Sequence, residues 1–238
     1  MKDKIIEGNI RLRAAAESNY GAQVSLEQIP KHKRSSCGLA AIKINKNQQG
    51  EASSIDYISA GDCMLFLQFT DSSFRQITFD YIDKLDGAAI STIQKAWYDY
   101  LKHAPNIEDI SIGELKKMHN TFRENVQEML QTNRNKLNSL EGYGIIDGDP
   151  QAEHYLEFGH IPLISVRWIL LLSDGLKLHT HRESHRQETW LTTAQMAFQY
   201  GLAELEKHII KLEESDPACF SYPRLKQHDD KSGILIEL

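Results

Sequence analysis

Three aspartates in distant parts of this 238-residue chain stand where an apolar stretch meets a bend. Asp62 follows the run Ile55 to Gly61, Asp174 follows Ile169-Leu170-Leu171-Leu172-Ser173, and Asp229 precedes Gly233-Ile234-Leu235-Ile236-Glu237-Leu238. Four consecutive large aliphatics before Asp174 read as a strand buried on both faces, since no polar side interrupts them. A carboxylate at the mouth of such a strand costs roughly several kcal/mol unless hydrogen bonds or a cation receive it. Taken singly, each residue reads as a turn aspartate. Taken together they are oxygen-only donors on strand ends, which suit Mg²⁺ or Mn²⁺. A metal pair held there would activate water and clamp a phosphoryl group for in-line attack.

Three other groupings could carry chemistry. His179, His181 and His185 have spacings that invite zinc, but the segment is strongly polar, has no anchoring cysteine and reads as a loop. Asp147 and Asp149, in a turn-rich stretch ending at Pro150, read as turn formers rather than ligands. The basic cluster Lys31-His32-Lys33-Arg34 could touch phosphate but reads as a solvated loop.

The elements that must position these residues follow from periodicity. Asp3 to about Ser18 reads as a helix, with Ile6, Ile10 and Arg13 at helical spacing. Ser35 to Ile44 reads as a strand rich in small residues, which let another layer approach closely. Ile55 to Asp62 and Met64 to Phe69 read as two arms of a hairpin bent at Gly61-Asp62, with Arg75 to Phe79 as a further short strand. From about Ile90 to Leu140 the pattern is of amphipathic helices covering a sheet. Ile93, Ala96, Trp97, Tyr100 and Leu101 make one stripe; Leu115, Met118, Phe122, Val126 and Met129 make another. A short helix is expected around Ala152 to Phe158. Thr192 or Thr193 is expected to cap one long last helix, with Gln195 completing a capping box. Its buried face would be Phe198, Leu202, Leu205, Ile209 and Leu212, and it would end before Asp216-Pro217.

Composition narrows the class. With 41% hydrophobic and 25% charged residues the chain suits a globular domain, and a net charge of -6 gives no nucleic-acid footprint. No apolar stretch approaches the roughly 20 residues that would span a membrane, and Met1-Lys2-Asp3-Lys4 lacks the apolar core of a secretory signal. Three scattered cysteines, Cys37, Cys63 and Cys219, fit a reducing cytoplasm.

The order and flanks of the aspartate motifs resemble the metal-dependent PPM-type, protein phosphatase 2C-like serine/threonine phosphatases. Ser36-Cys37-Gly38-Leu39-Ala40 resembles that family's small-residue strand in degenerate form, and Ala60-Gly61-Asp62-Cys63 its Gly-Asp-Ser bend. Leu172-Ser173-Asp174-Gly175-Leu176 matches its Ser/Thr-Asp-Gly motif, and Asp229 to Ile236 resembles its terminal strand. The resemblance implies an α+β fold: a four-layer α-β-β-α sandwich of two mostly antiparallel sheets with helices outside, here N-terminally incomplete. It implies one domain over 1–238 with a helical insertion at about 90–140. Asp174 and Asp229 would hold the first metal of a binuclear Mg²⁺ or Mn²⁺ centre, and Asp62 with Asp174 an additional one. His179, His181, Arg182 and His185 would belong to a substrate-side flap, and the substrate would be a phosphoprotein hydrolysed at phosphoserine or phosphothreonine.

The family's phosphate-binding arginine, first-strand acidic ligand and Asp-Gly-x-Gly-Gly turn have no counterpart in these residues. The Asp-Gly pairs at Asp86, Asp147 and Asp174 lack the following Gly-Gly. Without a bridging carboxylate the two metals lose their common anchor, so the centre is expected to be incomplete and the chain to have little activity alone. A sandwich short of strands should also leave an edge or apolar face uncovered. Three explanations stand: an interrupted or misassigned start, another chain supplying the strands, or a noncatalytic relative serving as a binding module.

Overall fold

The structure, a computed structural model, describes residues 1–21, 24–103, 109–184 and 189–238. These hold two antiparallel sheets and six α-helices, an α+β fold. They fall into two compact units: Met1–Ile82 with Thr132–Ser173 and Gly233–Leu238, and Asp83–Gln131 with Asp174–Ser232.

The first unit contains both sheets. Strands β1 (Leu39–Lys46), β2 (Ala52–Ala60) and β5 (Glu157–Pro162) form one, in the order β1-β2-β5. Strands β3 (Met64–Phe69), β4 (Phe74–Gln76), β6 (Val166–Leu172) and β7 (Gly233–Glu237) form the other, in the order β4-β3-β6-β7. Alternation decides which side chains meet. Ile55 of β2, Leu65 and Leu67 of β3, and Val166, Ile169 and Leu171 of β6 form one buried cluster, joined by Ala40, Ile42 and Ile44 of β1. The opposite side of the three-stranded sheet, with Leu39, Ala41, Ile58 and Ala60, packs against Ile5 and Leu12 of helix α1 (Lys2–Tyr20) and against Met1 before it. On β3 and β6 the alternate residues Met64, Phe66, Leu170 and Leu172 are buried as well. That explains the uninterrupted aliphatic run, since a strand covered on both sides has no polar face.

Several expectations need correcting. Strands β2 and β3 are not arms of one hairpin: β2 pairs with β1 and β5, and β3 with β4 and β6. Gly61-Asp62 is therefore the bend by which the chain leaves one sheet for the other. The buried stripe of α1 runs through Ile5, Asn9, Leu12 and Ala16, and Ile10 is exposed. A buried asparagine sits in the middle of that stripe, which hydropathy could not reveal. The expected helix after Ala152 is a short turn at Pro150–His154, and Glu157 already belongs to β5.

The second unit is helical. Helices α2 (Asp83–Leu101) and α3 (Ile112–Asn125) bring their stripes together, with Trp97 edge-on to Phe122 and Phe220 at 5.1 Å each. Ile93, Trp97 and Tyr100 of the first stripe thus pack with Leu115, Met118, Phe122 and Val126 of the second and with Ala218, while Met129 is exposed and Leu130 takes its place. Ser111 and Glu114 form the capping box of α3. Helix α4 (Gln127–Arg134) closes the helical stretch, short of Leu140. The expected last helix is two helices, α5 (Thr189–Tyr200) and α6 (Leu202–Ser215), broken at Gly201. Thr193 does not cap. It lies inside α5, where its hydroxyl donates to Thr189 O and accepts from Leu178 N.

His119 of α3 is buried with neither ring nitrogen in a side-chain hydrogen bond, and burial pushes its pKa down. The unfolded chain then takes up the proton first, so stability present at neutral pH is lost as pH falls through the unfolded value of about 6.5. His119→Leu is expected to flatten that acid limb and to raise stability at pH 5.5, read by urea unfolding at several pH values. An unchanged pH profile would refute the assignment.

Candidate metal centre at the acidic strand ends

Strand pairing brings three of the relevant strand ends together. Met64 pairs with Leu172, and Leu172 with Gly233, so β3, β6 and β7 share one edge of the four-stranded sheet at these residues. Asp62 lies two residues before Met64, Asp174 two after Leu172, and Asp229 four before Gly233.

In the first unit, Asp62 sits over the start of β1. Its Oδ1 and the Cys63 Sγ each lie 3.2 Å from where a Cβ on Gly38 would stand. The small-residue stretch before β1 therefore does what its composition suggests, since it makes room for the Asp62 bend.

In the second unit, Asp174 opens a single turn, Asp174–Leu176, whose first carbonyl accepts from Lys177 N at 2.8 Å. A Cβ on Gly175 would stand 2.0 Å from the Asp230 carbonyl oxygen. The Asp-Gly pair is thus required by close backbone approach, and this approach lays the Asp174 turn beside Asp229-Asp230. The Asp229 carboxylate faces a cation of its own chain: Lys226 Nζ lies 2.5 Å from its Oδ1, and the Asp230 amide donates to the same oxygen.

Next to this segment lies a buried acidic hub that no sequence motif marked. Glu213 of α6 is 1% exposed. Lys231 Nζ donates to both its oxygens at 2.9 Å and to the Asp229 carbonyl at 3.1 Å. His228 Nδ1 and His179 Nε2 approach the same carboxylate at 2.9 and 3.2 Å. Burial opposes the charge on Glu213, but the bonds from His228, Lys231 and His179 outweigh it and hold the carboxyl below its usual range. Close by, Arg224 binds both the Asp216 carboxylate and its carbonyl.

The expected flap residues divide. His179 belongs to the Glu213 hub, and burial lowers its pKa. His181 packs edge-on to Tyr222, and Arg182 lies over the Phe220 ring at 3.9 Å. These three are brought against the 213–228 stretch of the second unit. His185 lies outside the described residues. Two leftover motifs of the first unit also find partners. Arg34, expected in a solvated cluster, is buried and reaches Asp147 Oδ2 at 3.4 Å and Asp149 Oδ2 at 3.2 Å. Lys31 donates to the Leu137 carbonyl. In sequence a short basic loop looks the same whether it meets water, a carbonyl or a buried acid. Asp149 also accepts from Gln151 N, as a turn former should.

A divalent ion needs several convergent oxygens at about 2.0–2.6 Å. Among the described residues no group of three His, Cys, Asp or Glu side chains is placed to hold a metal ion. The Asp229 carboxylate and carbonyl are already engaged by Lys226 and Lys231. Asp229 thus offers its oxygens to ammonium groups rather than to a divalent ion. The two lysines went unnoticed in the sequence, although Lys226 and Lys231, three before and two after Asp229, were the legible signal.

No protein-family model matches the sequence, and no characterised protein matches it. Among solved structures, a bacterial serine phosphatase is similar over 98% of this chain and 66% of its own, with 13% identity and a TM-score of 0.43. The serine/threonine phosphatase Stp1 from Staphylococcus aureus is similar over 100% of this chain and 66% of its own, with 12% identity and a TM-score of 0.44. The chain thus spans just under two thirds of their length.

Proposed function

We propose that these 238 residues form a noncatalytic relative of the PPM-type phosphatases, a domain that retains the fold as a protein-binding module and does not hydrolyse phosphomonoesters by itself. The ordered motifs around Asp62, Asp174 and Asp229 support the lineage. The observation that carries the noncatalytic reading is the engagement of Asp229 by Lys226 and Lys231, which leaves its oxygens serving ammonium groups rather than a metal. Nucleophilic water in a two-metal site has to be made by the ions, and an Asp229 engaged by lysines holds none of them. Free thiols at Cys37, Cys63 and Cys219 agree with a cytoplasmic setting. No described helix is long and apolar enough to cross a membrane.

The second reading is a Mg²⁺- or Mn²⁺-dependent phosphoserine/phosphothreonine phosphatase acting on a phosphoprotein, with another segment or chain completing its centre. The shared edge of β3, β6 and β7 favours it. Hydrolysis of a phosphothreonine peptide by the purified chain with Mn²⁺ separates the two. The expected result is no turnover above the metal-only blank. Turnover that disappears in Asp174→Asn would establish the enzyme instead.

A further inference from the structure

Lys231 sits where its three N–H groups meet three oxygens: both Glu213 carboxylate oxygens at 2.9 Å and the Asp229 carbonyl at 3.1 Å. Its side chain is 10% exposed and that of Glu213 is 1% exposed. A bidentate carboxylate with an added carbonyl is an oxygen cage of the kind that binds hard cations. Here the cation is covalently part of the chain. Outside it, Lys226 meets one oxygen of the Asp229 carboxylate.

We propose that Lys226 and Lys231 form a built-in cation clamp on the terminal acidic segment, taking the place of a divalent ion, so that the chain folds and holds this segment without metal. The inference rests on the noncatalytic reading and deepens it by naming what neutralises the acids. Physically, the buried member matters more. The pair of Lys226 and Asp229 is half in water, where ion pairs contribute little. Lys231 is different, because removing it would strand the Glu213 carboxylate in a place where it is almost wholly out of water. His179 and His228 cannot replace it fully, since each reaches one oxygen of Glu213 and neither reaches Asp229. The clamp also explains how two adjacent aspartates can stand beside the Asp174 turn. Lys231 ties the backbone of Asp229 to α6, while Gly175 leaves room for the carbonyl of Asp230.

Two measurements on the purified chain test this. The first is a Mn²⁺ titration followed by calorimetry and by thermal unfolding, with EDTA as the reference. The clamp predicts no saturable binding and no shift in melting temperature. Saturable Mn²⁺ binding that is lost in Asp229→Asn would overturn it. The second compares Lys231→Gln and Lys226→Gln with the parent. Lys231→Gln is expected to melt about 10 °C lower, and Lys226→Gln within about 2 °C of the parent. A Lys231→Gln chain as stable as the parent would also overturn the clamp. If that variant fails to fold at all, the Mn²⁺ titration of the parent still decides. Metal binding without phosphopeptide turnover refutes the clamp alone, whereas turnover refutes the noncatalytic reading as well.

Discussion

Arg34→Ala is expected to lower the unfolding free energy by about 3–5 kcal/mol, the cost of stranding a buried partner charge. Asp147 is fully buried and Arg34 nearly so, and the guanidinium also donates to the Ile29 carbonyl at 3.0 Å. The network extends further. Asn138 Nδ2 and the Asp149 amide donate to Asp147 Oδ1, while Asn9 of α1 accepts from the Gly148 amide and donates to the Asp149 carbonyl. The network thus joins α1, the 29–34 loop and the 138–149 stretch. Burial raises the Asp147 pKa, the Asp149 charge adds to the rise, and Arg34 and the hydrogen bond from the Asp149 amide only partly oppose it. The folded state therefore holds the Asp147 proton more readily than the unfolded chain, and stability from this group falls as pH rises past the unfolded value near 4. Removing Arg34 strengthens that preference, so the deficit of Arg34→Ala should shrink as pH is lowered toward 4. Urea unfolding at pH 7 and pH 5 measures both. A loss below about 1 kcal/mol at pH 7 would show that Asp147 does not depend on its arginine.

Gly175→Ala is expected to cost about 3 kcal/mol or more as forced overpacking. The new methyl would stand 2.0 Å from the Asp230 oxygen and 2.7 Å from its carbonyl carbon, and both atoms are backbone. Neither can swing aside as a flexible side chain would, so the Asp174 turn or the Asp229-Asp230 segment has to move. Movement of the Asp229-Asp230 segment would also pull the Asp229 carbonyl away from Lys231. Gly8→Ala provides the control: it lies within α1 with nothing within 4 Å, and should be stabilising by up to about 1 kcal/mol. Thermal unfolding of the two variants reads the contrast. A Gly175→Ala chain melting like the parent would mean that the close approach is not a constraint.

Element positions were legible to very different degrees. Ile169 to Leu172 announced β6 because burial on both faces erases alternation, a pattern little else produces. Strand β7 and the end of α6 before Asp216-Pro217 were equally plain. Pairing was not. The bend at Gly61-Asp62 is the same in sequence whether it closes a hairpin or carries the chain between sheets, and only the partners of β2 and β3 distinguish the two. Likewise Asn9 broke the apolar stripe of α1. An amide that satisfies buried backbone groups packs inward as readily as a leucine does.

Sequence alone determined every strand but β5, the buried faces of α2, α3 and α6, and the aspartates that flank the strand ends, because these follow from local periodicity and chain direction. Tertiary structure alone decided which cation each buried acid receives: Arg34 for Asp147, Arg224 for Asp216, and Lys231 for Glu213. The reason is that a buried charge is tolerable only beside its partner. These partners lie 113, 8 and 18 residues apart, so neither composition nor motif order could have assigned them.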